Sequence, residues 1–451
     1  MTTNLTKGKP LKLIVLFALP LLVGNIFQQL YSMVDTIIVG QTVSTSALAG
    51  VGSTGAISFL VIGFVQGLTA GFAIKTAQYF GAKNEDAVRR SVAASFLLCI
   101  VMTVVLTAAS VATTMPLLRL MNTPETIIGD AYSYIVTIYW GLGATVFYNM
   151  VSNILRALGD SRTPLVFLVI ASVLNIGLDF LFIVSFHMGV AGAGWATVLS
   201  QLLSGVACLV YMFRKFPILR LKKSDWRFDL RFSLQHVWIG LPMALQFSIT
   251  AIGVMVQQTA LNKLGEVAVA AYTAASKIDQ LASQSLLALG SAVATYCGQN
   301  YGAGEYGRIR RGVNITMLLS VGFSLFGFGL VTLLGGVLTR VFIADITPEI
   351  LGLSKQFLFW QGAFYIALSV IFVYRNALQG IGRSALTMLA GVIELVMRVL
   401  AAFLLAARFG YLGICLSNPA AWLGADVFLL IAYFVIIRKY KSPPVAQETQ
   451  E

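Results

Sequence analysis

Charge is the scarcest ingredient of this 451-residue chain: Asp, Glu, Lys and Arg make up 11% of it, against roughly 25% in a soluble globular protein. Histidine occurs twice, as His187 and His236, and the four cysteines (Cys99, Cys208, Cys297, Cys415) stand far apart in apolar stretches with no CxxC. The shortage of charge excludes an ordinary cytosolic enzyme. The shortage of His and Cys leaves little for metal or thiol chemistry, so the cysteines read as small core residues. No GxxxxGK[ST], HExxH or GxSxG is present, and each of those catalytic chemistries needs its motif. Gly302-x-Gly304-x-x-Gly307 fits a dinucleotide pattern on paper, but it follows an apolar helix where that motif requires a strand. His187, in an outer loop, and His236, near the start of the seventh apolar run, read as interfacial residues. The chain is not expected to be an enzyme or to carry a cofactor.

What is abundant is apolar length. Hydrophobic residues make up 58% of the chain, and the mean hydropathy is +0.84. The runs predict helices over 11–38, 46–74, 91–114, 130–154, 163–186 and 191–213, then 233–261, 267–297, 312–335, 353–378, 384–408 and 412–437. At 1.5 Å per residue each can cross a hydrocarbon core of ~30 Å. The expected fold is therefore an all-α membrane protein with 12 transmembrane helices. The first run is too long for a cleavable signal peptide and no small-residue cleavage site follows it, so it is expected to remain as a span.

A net charge of +13 would suggest a nucleic-acid partner in a soluble protein, but here its distribution decides. About 24 of the 31 basic residues fall in the amino terminus, the even-numbered loops and the carboxy tail, and about five in the odd-numbered loops. Basic residues are retained on the cytoplasmic side, so both termini are expected there. The richest cluster, Arg214, Lys215, Arg220, Lys222, Lys223, Arg227 and Arg231, reads as a linker near anionic lipid. Nucleic acid is not an expected partner; membrane lipid is.

That linker divides a repeated text. Leu19-Pro20 answers to Leu241-Pro242, Gln78-Tyr79-Phe80-Gly81-Ala82 to Gln299-Asn300-Tyr301-Gly302-Ala303, and Arg89-Arg90 to Arg310-Arg311, at an offset of about 221. Asn153 through Gly159 is echoed by Asn376 through Gly382. The expected domains are 1–213 (helices one to six), a basic linker 214–232, 233–440 (helices seven to twelve) and a disordered tail 441–451. Six spans per half preserve orientation, so the halves form two six-helix lobes related by a pseudo-two-fold axis along the membrane normal. Such repeats favour a carrier with a site exposed alternately to each side. Pro20 and Pro242 each remove a backbone hydrogen bond within a span and permit a bend, static or gating. Gly63, Gly67 and Gly71 form a stripe suited to close helix packing.

A bare carboxylate deep in a bilayer costs at least ~2.5 kcal/mol, so each one needs a reason. The candidates are Asp35, Asp179, Asp279, Glu394 and Asp426. Glu394 and Arg398, four residues apart on one helix, form a structural pair. Asp279 and Asp426 have no evident partner in the sequence. Asp179 falls ~24 Å along the fifth span and Thr197 ~10 Å into the sixth, and Asn175 shares a face with Asp179. With Asp35 at the same level, two carboxylates, an amide oxygen and a hydroxyl suit Na⁺. They equally suit a proton, because paired carboxylates raise one another's proton affinity. The alternative is buried, hydrogen-bonded polar packing.

The chain resembles the multidrug and toxic compound extrusion (MATE) transporters, bacterial type, over about residues 10–440. The resemblance rests on Pro20, Met33-Val34-Asp35-Thr36-Ile37-Ile38-Val39-Gly40, Ala47-Leu48-Ala49-Gly50 and the Gln-x-Tyr/Phe-Gly-Ala motif of both halves. Arg156-Ala157-Leu158-Gly159-Asp160, Asn175-x-x-x-Asp179 and Gly192-Ala193-Gly194-x-Ala196-Thr197 complete it. It implies two lobes around a V-shaped cavity in a bacterial plasma membrane. It also implies efflux of organic cations or other amphipathic drugs in exchange for H⁺ or Na⁺, with Asp35, Asn175, Asp179 and Thr197 as the coupling site. Gln28 and Tyr134 are candidates for lining the cavity. A second coupling site known in some members, with acids in the seventh and tenth spans, finds Gln257 and Gln258 in the seventh and no acid in the tenth. The protein is expected to act as a monomer. The alternative function is export of lipid-linked saccharides, which calls for a cationic cavity; the intramembrane charges here are mostly acidic.

Overall fold

A backbone in hydrocarbon must satisfy its own N–H and C=O groups, and a helix does so within a single segment. A computed structural model describes residues 4–121, 123–342 and 347–440, with Tyr31, Met33, Asp35, Thr36, Thr45, Val341 and Phe342 described in backbone only. Among the described residues every extended element is a helix and no strand occurs. The first half runs α1 (Pro10–Thr42), α2 (Thr45–Ser53), α3 (Gly55–Gly81), α4 (Glu85–Leu120), α5 (Glu125–Trp140), α6 (Leu142–Ala157), α7 (Arg162–Asp179), a π-helical turn (Phe180–Ser185) and α8 (Gly189–Lys215). The second runs α9 (Leu230–Asn262), α10 (Glu266–Gly302), α11 (Tyr306–Phe342), α12 (Pro348–Ala363), α13 (Tyr365–Gly380), α14 (Ser384–Phe409) and α15 (Tyr411–Lys439).

The sequence repeat is also a backbone repeat. Left-handed turn residues recur in equivalent places: Lys83 (φ 56°) and Gly304 (φ 75°), Gly159 (84°) and Gly382 (81°), Gly189 (58°) and Gly410 (57°). The α5–α6 pair is bent by 50° and its counterpart α12–α13 by 48°. Pro20 and Pro242 both lie inside helices, α1 and α9.

Nine helices are long and apolar enough to cross a membrane among the described residues, and the two bent pairs bring the number to 11. The expected eighth span is α10, which is 37 residues long but falls outside that set. Lys277, Asp279, Gln280, Ser283 and Gln284 dilute its apolar content. It packs against α11, α12 and α13, so protein covers much of the surface that lipid would otherwise meet.

The chain divides into two compact units. The first holds Leu19–Thr76 and Glu85–Thr259; the second holds the segment up to Ala18, Ala77–Asn84 and the chain from Ala260 onward. Within the first, the glycine stripe of α3 receives α9. A Cβ on Gly63 would sit 3.3 Å from that of Phe247, one on Gly67 would sit 2.6 Å from the Met243 carbonyl oxygen, and one on Gly71 would overlap Gly240. The stripe is thus a close-packing surface, as its spacing suggests. His236 on α9 is fully buried rather than interfacial. Its Nε2 shares a 2.8 Å hydrogen bond with Ser91 Oγ, and its Nδ1 lies 3.1 Å from the Phe232 carbonyl oxygen. The linker is docked as well as basic: Asp225 and Asp229 pair with Arg89 (3.5 Å) and Arg90 (3.1 Å) at the start of α4.

Within the second unit the two Gln-x-Tyr/Phe-Gly motifs pack reciprocally. A Cβ on Gly81 would overlap the Gln299 carbonyl oxygen, and one on Gly302 would overlap that of Gln78. Gln78 Nε2 donates to the Gly380 carbonyl at 3.0 Å, and Gln299 Oε1 accepts the Leu5 N–H at 2.9 Å. Asn300 and Arg308 both donate to the Leu5 carbonyl, which fastens the fully buried Leu5 in place. The motif therefore serves a backbone-to-backbone contact that only glycine permits.

Gly81→Ala and Gly302→Ala are each expected to destabilise the protein by about 1–3 kcal/mol or more, as overpacking does. The thermal unfolding midpoint in detergent should fall for both and hold for Gly322→Ala, where an added Cβ meets open space. Wild-type melting of Gly302→Ala would contradict the contact.

Candidate functional site

The expected site is built on α7, and α7 is anchored at its first turn. Gly159 turns the chain with positive φ, which places Asp160 under the helix start. Asp160 Oδ1 accepts the Arg162 and Thr163 N–H groups at 3.2 and 3.0 Å, and Oδ2 accepts the Thr163 hydroxyl at 2.7 Å and Lys215 Nζ at 3.0 Å. A carboxylate there also suits the positive end of the helix dipole. Because Lys215 ends α8, this one side chain ties the start of α7 to the end of α8. Burial alone would raise the proton affinity of Asp160, but the Thr163 and Lys215 hydrogen bonds outweigh it and hold its pKa below the ordinary carboxylate value.

Further along, Asn175 and Asp179 lie one turn apart with 1% and 0% of their surface exposed. Asn175 Nδ2 donates to Thr197 Oγ1 of α8 at 3.3 Å. Asn175 Oδ1 is buried and accepts no hydrogen bond among the described residues. Immediately after Asp179 the α-helix gives way to the π-turn, an irregularity found disproportionately at functional sites. Three of the four expected coupling residues thus share one buried region of the first unit.

The Asp35 side chain lies outside the described residues. Gly24 of α1 faces α7: a Cβ there would be in ordinary contact, 3.5 Å from Leu165 and 3.6 Å from Leu168. Near the other end of α1, Ile38 and Val39 join a buried cluster with Ile183 and Val190, against which Tyr134 and Ile176 pack. Tyr134, on α5, therefore packs beside this region, whereas Gln28 is exposed on α1 more than a turn away.

The second unit holds its own buried charges. Glu394 accepts from Arg398 Nη2 and from Arg375 Nη2, each at 2.6 Å. The spacing of Glu394 and Arg398 predicts their pairing; Arg375, on another helix, was not legible as the third member. Asp279 accepts the Tyr365 hydroxyl at 2.8 Å. Asp426 is buried within electrostatic range of Arg375 and Glu394.

Asp160→Asn is expected to cost about 1.5–3 kcal/mol at neutral pH, the range for hydrogen bonds to a charged group. A depressed native pKa gives stability that is complete above the unfolded value, about pH 4, and is lost as pH falls through the native value. The difference in stability between wild type and Asp160→Asn should therefore shrink on acidification below about pH 4. A difference that stays constant or grows there would refute the assignment.

Comparison with known proteins meets this geometry. The MatE family profile matches residues 20–181 and 242–404, once in each half. The chain is 30% identical over 390 residues to the probable multidrug resistance protein YpnP of Bacillus subtilis (strain 168), covering 86% of this chain and 85% of that protein. It is 28% identical to the probable multidrug resistance protein NorM of Thermotoga maritima, covering 92% of this chain and 89% of that one. Among solved structures, the outward-facing conformation of a multidrug resistance MATE family transporter of the MOP superfamily shares the fold, with a TM-score of 0.91 at 23% identity over 98% of this chain and 100% of that chain. A profile matched in both halves and a relative aligned over most of both chains place this protein in the MatE family of multidrug efflux transporters.

Proposed function

We propose that the protein is a secondary active antiporter of the bacterial plasma membrane. It exports organic cations or other amphipathic compounds in exchange for H⁺ or Na⁺, with Asp35, Asn175, Asp179 and Thr197 as the coupling site. Twelve spans in two six-helix lobes, with both termini cytoplasmic, form its framework. The observation that carries the reading is Asp179: a fully buried acid, one turn from an asparagine that bonds Thr197. Burying a carboxylate for packing alone is costly in a bilayer, whereas an exchanger requires charge that can be neutralised and restored.

Competition gives the exchange. With Asp35 and Asp179 ionised, the cavity of the first half holds a cationic, partly aromatic compound by charge and apolar contact. Entry of H⁺ or Na⁺ from outside neutralises the pair, weakens drug binding and favours the inward-facing state. An ion shifts this equilibrium only through its differential affinity for the two states. Asn175 and Thr197 orient oxygen ligands and hold α7 to α8. Pro20 and Pro242 leave carbonyls of α1 and α9 without their helical partner, so each helix can exchange bent and straight forms that gate access.

The test is reconstitution in liposomes loaded with a fluorescent organic cation, with a pH gradient and a Na⁺ gradient imposed separately. One gradient should drive release, and Asp35→Asn and Asp179→Asn should each reduce it at least tenfold at wild-type abundance. Thr197→Ala removes one hydrogen bond worth about 1 kcal/mol, so a loss of roughly fivefold is expected. Normal coupled transport by Asp35→Asn would sink the site. No response to either gradient from folded protein would move the reading to export of lipid-linked saccharides.

A further inference from the structure

We propose that Asp426, on α15 of the second unit, is a proton-binding site that shares Arg375 with Glu394. Proton occupancy then decides which carboxylate the arginine serves. The assignment goes beyond the coupling site of the first unit and does not depend on it.

The argument begins with bond partners. The Glu394 side chain, 7% exposed, receives a short hydrogen bond from each of two guanidiniums. Asp426, 6% exposed, lies about halfway along α15. Its Oδ1 is buried and accepts no hydrogen bond among the described residues. Three buried donors, Arg375 Nε, Arg398 Nε and Arg398 Nη1, are likewise without acceptors there. Arg375 is committed to Glu394, and Asp426 lies within electrostatic range of both.

Among the described residues, the charges that bear on Asp426 are Arg375 of α13 and Glu394 of α14, and Glu394 is in turn paired with Arg398. From α12 comes neutral Gln361, which donates to the Cys415 carbonyl at 2.8 Å. On α15 itself Tyr433 stacks edge-on against Tyr374, with ring centroids 4.9 Å apart. Two guanidiniums and two carboxylates would sum to zero if all were ionised. Neutrality of the sum does not solvate each oxygen, however: a buried carboxylate persists as an ion only where hydrogen bonds replace its water. Glu394 has them, and Asp426 Oδ1 does not. A proton needs no cavity and removes the demand.

Two arrangements follow. In the first, Arg375 serves Glu394, as observed, and we place the proton on Asp426. When the Asp426 O–H bond breaks and its proton passes to water, the new carboxylate competes for Arg375. Because the three groups sit on α13, α14 and α15, that competition links proton release to the packing of these helices.

The direct test is infrared spectroscopy of the full chain in lipid bilayers at neutral pH. A protonated-carboxyl C=O band, shifted by exchange into D₂O, is expected in the wild type. D426N should lose one carboxyl's worth of it and keep the wild-type unfolding midpoint, while E394Q should retain it. Should D426N fail to fold, D426E carries the test, with the band kept but displaced. No such band in the wild type, a band unchanged in D426N or D426E, or its loss in E394Q instead would each overturn the assignment.

Discussion

The structure depends on one constraint: in hydrocarbon, a polar group without a partner costs more than most packing contacts return. The backbone answers with helices alone among the described residues. Side-chain charges answer by pairing within the protein, as Glu394 does with Arg375 and Arg398. A helix that carries charge in its middle, such as α10, packs against α11, α12 and α13. The same constraint gives the remaining acids their meaning. A fully buried Asp179 beside Asn175 and Thr197 is held at a cost, and a coupled transporter needs charge that can be neutralised and restored.

Close backbone approach is the second organising feature. Without a hydrophobic drive between helices in lipid, packing rests on van der Waals contact, which small residues maximise. Gly67 and Gly71 admit α9 to α3, and Gly81 and Gly302 admit each other's motif. The repeat is therefore more than a trace of duplicated text. The same glycine recurs because the same backbone contact is made from both sides, and the same left-handed turns recur where each half reverses direction.

Much of this was legible because it is local. Most expected spans lie on observed helices, and helical rise places Asn175 near Thr197, but the run 46–74 is broken between α2 and α3, and the bends of α5–α6 and α12–α13 are not among the expectations from sequence. What was not legible is tertiary. Arg375 is a single charge in an apolar run, and nothing in its spacing ties it to Glu394 on the next helix. Leu5 lies ahead of the first apolar run and is not among the residues the sequence singles out, yet it is fully buried through partners nearly 300 residues away. His236 looks interfacial by position, and Ser91, on a helix far back in the chain, is what satisfies it.

The central claim is that drug and coupling ion compete for the same carboxylates. Equilibrium binding of a fluorescent organic cation to the purified wild-type protein, measured across pH at fixed Na⁺ and across Na⁺ at fixed pH, tests it most directly. The account predicts that affinity falls steadily as one of the two ions rises. Affinity indifferent to both would contradict it.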